Sequence, residues 1–263
     1  MLCRVAGRRM SAQEIAERGC ILRAVVGSSA HGLSLDGQDD RDEMGVCLEP
    51  PERVIGLRPF DQWEFRTQPN GARSGPGDLD LTIYSLRKWC RLALAGNPTI
   101  LLPLFVPQAM CSVLTGSGMT LRQNARWFAS RYAGRAFLGY MRAQLERLAG
   151  DRGQQRVNRP ELIERYGYDT KYAAHVLRLG FQGIEYQKSG RLTLPMPEGQ
   201  REIILSVRRG EFALTHVLAT ARGLEEDLRR LIETSPLPEE PDRAAVDEFL
   251  IDTYTARWGF RFE

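Results

Sequence analysis

The amino-acid sequence predicts an α+β protein, in which a sheet over about residues 1 to 110 is followed by a mainly helical part over about residues 111 to 263. Short apolar runs rich in β-branched residues are separated by turn residues in the first part, which is typical of strands. Apolar residues recur at helical spacing through most of the second part. An acidic, proline-rich connector, residues 235–242, precedes the last predicted helix, which we expect to dock as a separate arm.

Composition indicates an ordinary folded protein. With 263 residues, of which 43% are hydrophobic, the chain can bury a core, and its formal net charge of +3 is too small to identify a nucleic-acid partner. The five cysteines are scattered and form no C-x-x-C pair, so they indicate neither a disulfide framework nor a zinc site and favour a reducing cytoplasm. No apolar stretch has the length of a signal peptide or a membrane span, so we expect a cytoplasmic protein without membrane association.

The first predicted helix begins at a capping box, because Ser11 and Glu14 have the spacing S-x-x-E. Residues 21–26 then form a β-branched apolar run that stops at Gly27-Ser28-Ser29, which predicts a strand followed by a tight turn. A short helix is expected at residues 30–33.

Alternating patterns and turn residues predict the later strands at residues 41–48, weakly at 54–55 and 63–66, and at 78–84. Asp78, Asp80 and Thr82 share one face of the last of these, and a loop at 68–77 precedes it. A helix is predicted from Ser85 to a stop at the Gly-Asn-Pro sequence that follows it. Further helices are predicted at 120–149, 161–182, 211–234 and 242–257, with strand-like pieces at 191–197 and 201–209.

Two aspartates lie at the start of the predicted strand at residues 41–48. Asp40 and Asp42 are two residues apart, so in an extended chain their side chains emerge on the same face. Two like charges that close together repel unless a cation neutralises them. Mg²⁺ prefers hard oxygen ligands, and two such ions can stabilise both the attacking and the leaving oxygen of a phosphoryl transfer. We therefore expect Asp40 and Asp42 to bind two Mg²⁺ ions.

The turn that precedes these aspartates has residues suited to binding phosphate. Gly27 lets the backbone come close to a phosphate group, and Ser28 and Ser29 add hydroxyl donors at the start of a short helix. A turn that holds a triphosphate and aspartates that hold its metal ions are complementary parts of one site. Each pattern alone is common, but their order along the chain is the one that a metal-dependent nucleotide transfer needs.

With these residues the chain resembles a known family. The segments GSSAHGL (27–33) and DRDEMGV (40–46) look like the signature of the polymerase-beta-like nucleotidyltransferases. More closely, they look like the branch associated with RNA repair operons, which also occurs in phages. The resemblance spans most of the chain, because it continues through residues 81–98, 139–148 and 168–179.

The resemblance implies a mixed sheet with flanking helices and an enzyme that moves a nucleoside monophosphate from a nucleoside triphosphate to an acceptor hydroxyl. It implies that Mg²⁺, or Mn²⁺ in its place, is bound by Asp40, Asp42 and a third carboxylate on a neighbouring strand. Asp80 is the expected third carboxylate, as metal ligand or as base for the acceptor hydroxyl, and Asp78 is its rival. The family further implies that the acceptor is an RNA 3′ end, similar to that of tRNA, in RNA repair.

Four polar residues fall at i, i+4, i+7 and i+11 of a predicted helix and share one face, which either is solvated or lines a cleft: Lys171, His175, Arg178 and Gln182. This pattern also looks like a motif of the family. The resemblance implies that Lys171 and Arg178 bind phosphate and that His175 supports them with a hydrogen bond. His31, in the glycine turn, is either a ligand contact or a packing residue.

Arginines and aromatic residues recur together through the helix predicted at 120–149. RNA binding is one interpretation, and a helix that buries its aromatic residues and solvates its arginines is the other. The residues are Arg122, Arg126, Arg131, Arg135, Arg142 and Arg147, with Trp127, Phe128, Tyr132, Phe137 and Tyr140.

Two other functions are compatible with the same residues. The nucleotide could be transferred to a protein or small-molecule hydroxyl, because the metal chemistry does not depend on what surrounds the attacking oxygen. The fold could also serve as a nucleotide- or RNA-binding module that has lost turnover. The choice of nucleoside triphosphate, the number of nucleotides added and the oligomeric state leave no pattern in a single sequence.

Overall fold

The computed structural model describes residues 10–35, 40–69, 72, 74–149 and 159–259. Cys3, residues 36–39 and three residues of the predicted loop at 68–77 lie outside these ranges. The strands are β1 (Cys20–Val25), β2 (Arg41–Cys47), β3 (Gln62–Arg66), β4 (Leu79–Ser85) and β5 (Cys111–Leu114). The helices are α1 (Ala12–Gly19), α2 (Gly27–His31), α3 (Pro51–Val54), α4 (Leu86–Leu94), α5 (Gly116–Gln123), α6 (Arg131–Ala149), α7 (Pro160–Tyr166), α8 (Thr170–Ser189), α9 (Glu198–Arg208), α10 (Leu214–Thr234) and α11 (Arg243–Trp258).

The strands form one sheet in the order β3-β4-β2-β1-β5. Strands β2 and β4 are parallel, and the other neighbouring strands are antiparallel. The predicted α+β fold with a mixed sheet is therefore confirmed. Strand β5 lies beyond residue 110, so the sheet extends past the predicted end of the first domain, and the division into two domains stays a prediction. Within the described ranges, no helix is long and apolar enough to cross a membrane.

Ser11, Ser85 and Asp169 each begin a helix, because their side chains accept a hydrogen bond from a backbone N–H of its first turn. In the capping box of α1, Ser11 Oγ accepts from the Glu14 N–H at 3.1 Å, and Glu14 Oε2 accepts from the Ser11 N–H at 2.8 Å. Ser85 Oγ accepts from the backbone of α4, and Asp169 Oδ1 accepts from the Tyr172 N–H of α8 at 2.9 Å. These local hydrogen bonds confirm the predicted beginnings of α1 and α4 and define the beginning of α8.

The alternation of β4 separates a core face from a cleft face. Leu81 and Ile83 are buried and pack with Ile15 of α1 in a small core cluster. Asp80 and Thr82, which alternate with these two residues along the strand, lie on the opposite face and line a cleft. The strand pattern read from the sequence therefore places the acidic face of β4 at a surface that a ligand can reach.

Three long helices, α6, α8 and α10, pack together beside the sheet. Their closest approach depends on small residues of α8: a Cβ atom on Gly180 would lie 2.9 Å from Leu224, and one on Gly183 would lie 2.7 Å from Leu228. A single cluster of buried apolar side chains runs from Leu22 on β1 through these helices. This shared core fixes α8 relative to the sheet.

Three predicted strands are wrong. Residues 54–55 lie at the C-terminal end of α3, and Ile55 is 72% exposed. Pro51 begins this helix, at a position where its missing N–H removes no helical hydrogen bond. Residues 201–209 belong mostly to α9. Its apolar run resembles a strand locally, but Ile204 and Val207 are buried at a spacing of three, on one helical face. No strand forms at residues 191–197, where two prolines lack the N–H that a ladder needs.

Two predicted helices are each interrupted. The helix predicted at 120–149 is divided into α5, a short 3₁₀ turn at Ala125–Phe128, and α6. The helix predicted at 161–182 is divided into α7 and α8 at Gly167, which has a φ of 81° in the left-handed region that ends α7. Helix α8, which carries the polar stripe, therefore begins at its own cap, Asp169, and does not continue from α7.

The last helix, α11, is held to the sheet by a buried carboxylate. Glu49, which follows β2, is fully buried, and its Oε2 accepts from Tyr254 Oη at 2.7 Å. The same hydroxyl accepts from the Arg87 N–H at 3.3 Å, and Trp258 Nε1 donates to the Glu49 carbonyl oxygen at 3.3 Å. Burial raises the pKa of Glu49, although the Tyr254 hydrogen bond opposes this shift. These contacts join α11 to both β2 and α4.

We expect the substitution Tyr254→Phe to lower the free energy of unfolding by about 1 to 3 kcal/mol, because it leaves a buried carboxylate without its donor. Urea denaturation measures this loss. Tyr140→Phe is the matched control: its hydroxyl accepts from Asn97 Nδ2 at 3.0 Å on a 45% exposed side chain, so we expect a loss within about 0.5 kcal/mol. Equal losses in the two variants would show that the contact with Glu49 does not hold α11.

Candidate active site

Three carboxylates meet at one end of the parallel strand pair. Asp42 on β2 lies directly opposite Asp80 on β4, and Asp40 lies one residue before β2 begins. Carboxylate oxygens of Asp40, Asp42 and Asp80 all lie within 4.8 Å of one another, and all three residues are half-buried. The structure thus brings together the three residues that the sequence and the resemblance suggested as metal ligands.

The rival carboxylate, Asp78, has a different position. Its Oδ1 accepts from Thr67 Oγ1 at 2.8 Å, and its Oδ2 accepts from the Gly75 N–H at 2.9 Å. The Asp78 carbonyl oxygen also accepts from the Arg41 N–H at 2.8 Å. These hydrogen bonds fix the turn before β4 and the start of its pairing with β2, so Asp78 supports the position of Asp80 instead of joining the carboxylate group.

Asp80 is held by the edge strand. Its Oδ1 accepts from Arg66 Nε of β3 at 2.8 Å, and its Oδ2 accepts from Ser74 Oγ at 2.6 Å. Burial acts to raise the pKa of Asp80, but the hydrogen bonds from Arg66 and Ser74 outweigh it and hold this pKa below its ordinary value. Asp80 is consequently ionised at neutral pH. Sequence patterns do not indicate Arg66, because only the pairing of β3 with β4 brings it opposite Asp80.

The glycine turn lies directly against Asp42. Gly27 has a φ of 67°, and a Cβ atom on it would lie 2.0 Å from Asp42 Oδ2 and 2.9 Å from Asp42 Cβ. The Val26 N–H donates to the Asp42 carbonyl oxygen at 2.9 Å. Ser28 lines the cleft beside this contact, whereas Ser29 Oγ lies 3.2 Å from Ser34 Oγ, and Ser29 does not line the cleft. Glycine is therefore required here by the neighbouring carboxylate.

The carboxylates form one side of a cleft with a volume of about 410 Å³, which lies within the range of roughly 300 to 1,000 Å³ that is usual for small-molecule sites. Helix α8 provides the opposite wall with the predicted residues Lys171, His175 and Arg178. Arg208, at the end of α9, also lines the cleft and donates to the Leu33 carbonyl oxygen. Arg208 is not among the residues predicted from the sequence, because the apolar run before it resembles a strand and the segment forms α9.

Arg178 is a half-buried cation in this wall. Its Nη1 contacts His31 Nε2, and its Nη2 lies 3.4 Å from His175 Nε2. Burial lowers the pKa of Arg178 to about 10, and the negative charge of Asp42 opposes that shift. Arg178 therefore stays protonated at neutral pH, and its positive charge attracts the negative charge of Asp42.

His31 is 1% exposed and joins the glycine turn to α8, through the contact with Arg178 and through the Gln182 carboxamide, which lies 3.2 Å from His31 Nδ1. Burial, followed by the charge of Arg178, lowers the pKa of His31 well below its ordinary value. Burial and Arg178 likewise lower the pKa of His175 to about 3. Both rings are neutral at physiological pH. The predicted polar stripe of α8 thus faces the cleft and not the solvent.

The arginines of residues 122–147 mostly contact protein groups. Arg122 Nη1 donates to Cys111 Sγ at 2.8 Å, Arg135 Nη2 lies 2.7 Å from Glu239 Oε1, and Arg142 Nε lies 2.6 Å from Glu225 Oε1. Phe128 and Phe137 of the same stretch are fully buried. These contacts favour the structural interpretation of this stretch over an RNA-binding surface.

The carboxylate group fits a divalent cation on the chemistry of its donors. Three carboxylates from adjacent chain segments offer only hard oxygen ligands, which Mg²⁺ prefers, and they open onto the cleft. Arg66 forms an ion pair with Asp80, and the positive charge of Arg178 interacts with Asp42. Three like charges so close together are stabilised by a bound cation.

A mixed sheet with carboxylates on two parallel strands, and a glycine-serine turn on the strand beside them, defines the class of polymerase-beta-like nucleotidyltransferases. The chain belongs to the RlaP family, described as the RNA repair pathway DNA polymerase beta family, whose model matches residues 7–252. A comparison with curated protein sequences gives no match. Among solved structures, the chain is similar to a nucleotidyltransferase-like protein from Exiguobacterium sibiricum, with 12% identity, coverage of 92% of this chain and 76% of the other, and a TM-score of 0.32.

We expect Gly27→Ala to destabilise the protein more than the same change at another glycine of positive φ. Gly167→Ala is the control, because Gly167 has a φ of 81° and no atom within 4 Å of the added Cβ. The control costs only backbone strain, about 1 to 2 kcal/mol. At Gly27 the added Cβ would meet Asp42 Cβ as well as its carboxylate, so turning the side chain gives no relief, and we expect about 1 to 3 kcal/mol more. Equal losses in the free energy of unfolding of the two variants, measured by urea denaturation, would contradict the close contact between Gly27 and Asp42.

Proposed function

We propose that this protein transfers a nucleoside monophosphate from a nucleoside triphosphate to the hydroxyl of an RNA 3′ end, with Mg²⁺ as the metal. The observation that carries the proposal is the cleft in which Asp40, Asp42 and Asp80 face the basic residues of α8 and α9. Carboxylates for metal ions and cations for phosphates are the two requirements of phosphoryl transfer. Membership of an RNA repair family supports RNA as the acceptor.

The basic wall is the proposed binding site for the triphosphate. Lys171, Arg178 and Arg208 line the cleft opposite the carboxylates, and Ser28 adds a hydroxyl donor beside them. An arginine can donate two parallel hydrogen bonds to a phosphate, and its attraction is strong in a site from which water is excluded. These residues would hold the triphosphate with its α-phosphorus towards Asp42. Ser29 and His31, expected to contact the nucleotide, would act through the shape of the turn, because Ser29 lies away from the cleft and His31 contacts Arg178.

The carboxylate group is the proposed metal site, with two Mg²⁺ ions as in other enzymes that use carboxylate-bound metals for phosphoryl transfer. Bound Mg²⁺, or Mn²⁺ in its place, supplies neutralisation of the phosphate charge and a lower pKa for the acceptor hydroxyl. Asp40, Asp42 and Asp80 are the residues that would hold the ions. A pKa below the ordinary range makes Asp80 a weak base, so its role as metal ligand is favoured over that of proton acceptor.

We expect Asp42→Asn and Asp80→Asn each to lower kcat at least about 100-fold, because a lost charge at a metal site costs several kcal/mol and each 1.36 kcal/mol is about tenfold in rate. Asp78→Asn is the matched control on the same strand, and we expect a far smaller change in kcat. Circular dichroism checks that each variant is folded. A loss of activity in Asp78→Asn together with full activity in Asp80→Asn would reverse the assignment of the third carboxylate.

The acceptor is tested with α-³²P-labelled nucleoside triphosphates, Mg²⁺ and RNAs that end in a 3′ hydroxyl or a 3′ phosphate. We expect label on the RNA with the 3′ hydroxyl alone, because the attacking oxygen must be free. The label should be released by ribonuclease and retained after protease treatment. Label that resists ribonuclease and disappears with protease would replace the RNA acceptor by a protein hydroxyl. Nucleotide binding without any transfer to varied acceptors would favour a binding module.

A further inference from the structure

We propose that His31 and Gln182 are positioning residues, which fix the orientation of the Arg178 guanidinium by holding the His31 ring as a neutral acceptor with its proton on Nδ1. The orientation follows from the hydrogen-bonding chemistry of the three side chains and from their burial. The proposal rests on the proposed function only where it assigns Arg178 to a phosphate of the nucleotide.

The first step is the contact between Arg178 and His31. An arginine has five N–H donors and no acceptor. His31 Nε2, which Arg178 Nη1 contacts, must therefore offer its lone pair. A neutral imidazole carries one proton, so the proton of His31 lies on Nδ1. An imidazolium ring would place an N–H against the guanidinium and would bring two positive charges together.

The second step concerns Gln182. With a proton on Nδ1, His31 needs an acceptor on that side of its ring. The carboxamide nitrogen Nε2 of Gln182 lies 3.2 Å from Nδ1, and two N–H donors cannot bond to each other. A half-turn of the carboxamide exchanges its oxygen and nitrogen, so Oε1 can take the Nδ1–H hydrogen bond. Gln182 is 2% exposed and His31 is 1% exposed, so water has little access to this pair. In that orientation Gln182 stabilises the tautomer in which His31 accepts from Arg178.

The third step is the connection to the glycine turn. His31 ends α2, the helix that contains Ser28, and its carbonyl oxygen accepts from the Met196 N–H at 3.1 Å. Its ring contacts two residues of α8, one turn apart. One side chain thus sets both the position of the turn and the orientation of Arg178. His175 Nε2, 3.4 Å from Arg178 Nη2, is a second neutral acceptor on the same side.

The tautomer is read directly by long-range ¹H–¹⁵N spectra of protein labelled with ¹⁵N histidine. The sequence has three histidines, and the exposed His216, stacked on Phe212, is an internal reference. We expect His31 to show the neutral form with the proton on Nδ1 from pH 7 down to pH about 5, since burial keeps its pKa low. A proton on Nε2, or a charged ring at pH 7, would overturn the proposal. This measurement needs no turnover, so it stays readable if the proposed function fails.

The substitution Gln182→Met tests the relay. We expect the His31 spectrum to lose the pure Nδ1–H form while the His216 spectrum stays unchanged. We also expect KM for the nucleoside triphosphate to rise about tenfold, the effect of one weakened hydrogen bond to a charged group, with a smaller change in kcat. An unchanged His31 spectrum in this variant would show that Gln182 does not select the tautomer.

Gln187→Met is the matched control. Gln187 is a fully buried glutamine of the same helix, and its Nε2 donates to the Ser130 carbonyl oxygen at 2.9 Å, among core residues away from the cleft. We expect this variant to lose stability but to keep the His31 spectrum and KM of the wild type. His31→Asn keeps an acceptor oxygen and should retain more triphosphate affinity than His31→Leu. Equal losses of affinity in these two variants would reduce His31 to a packing residue.

Discussion

The candidate site brings three carboxylates together, with oxygens within 4.8 Å of one another, and the fold must stabilise their negative charges. Charges of one sign at such separations destabilise a fold unless cations or donors compensate them. The chain supplies compensation from two directions: Arg66 on the edge strand contacts Asp80, and Arg178 on α8 attracts Asp42. Since one cation comes from the sheet and the other from the helices, the carboxylate group also depends on how α8 packs against the sheet. The shared core that fixes α8 is consequently part of the site's electrostatics.

Strand register is the second constraint, because it decides which carboxylates meet. Asp42 faces Asp80 across a parallel pair, and a shift of one residue would turn Asp80 to the core face that Leu81 and Ile83 occupy. Asp78 prevents such a shift through its carbonyl contact with the Arg41 N–H and through the hydrogen bonds that close the turn before β4. Its value to the site is therefore structural, although its charge and its neighbours made it resemble a ligand in the sequence.

The sequence could predict what local patterns determine. The capping box of α1, the alternation of β4 and the polar face of α8 depend on residues close together in the chain, and the structure has all three. Arg208 could not be found in this way. The apolar run before it fits a strand or a helix, and only packing of Ile204 and Val207 as one helical face decides between them. Arg66 was missed for a similar reason, since only strand pairing shows that it lies opposite Asp80.

Neutral partners suit the proposed role of Arg178 in binding phosphate. A carboxylate at the position of His31 would also satisfy the guanidinium of Arg178, but it would cancel the charge on which the proposed phosphate binding depends. A guanidinium without partners would pay the full cost of burial. An imidazole held as an acceptor avoids both outcomes, because it orients the N–H groups and leaves the positive charge directed at the cleft. The polar stripe of α8 can therefore be costly to fold and still be the arrangement that the proposed chemistry requires.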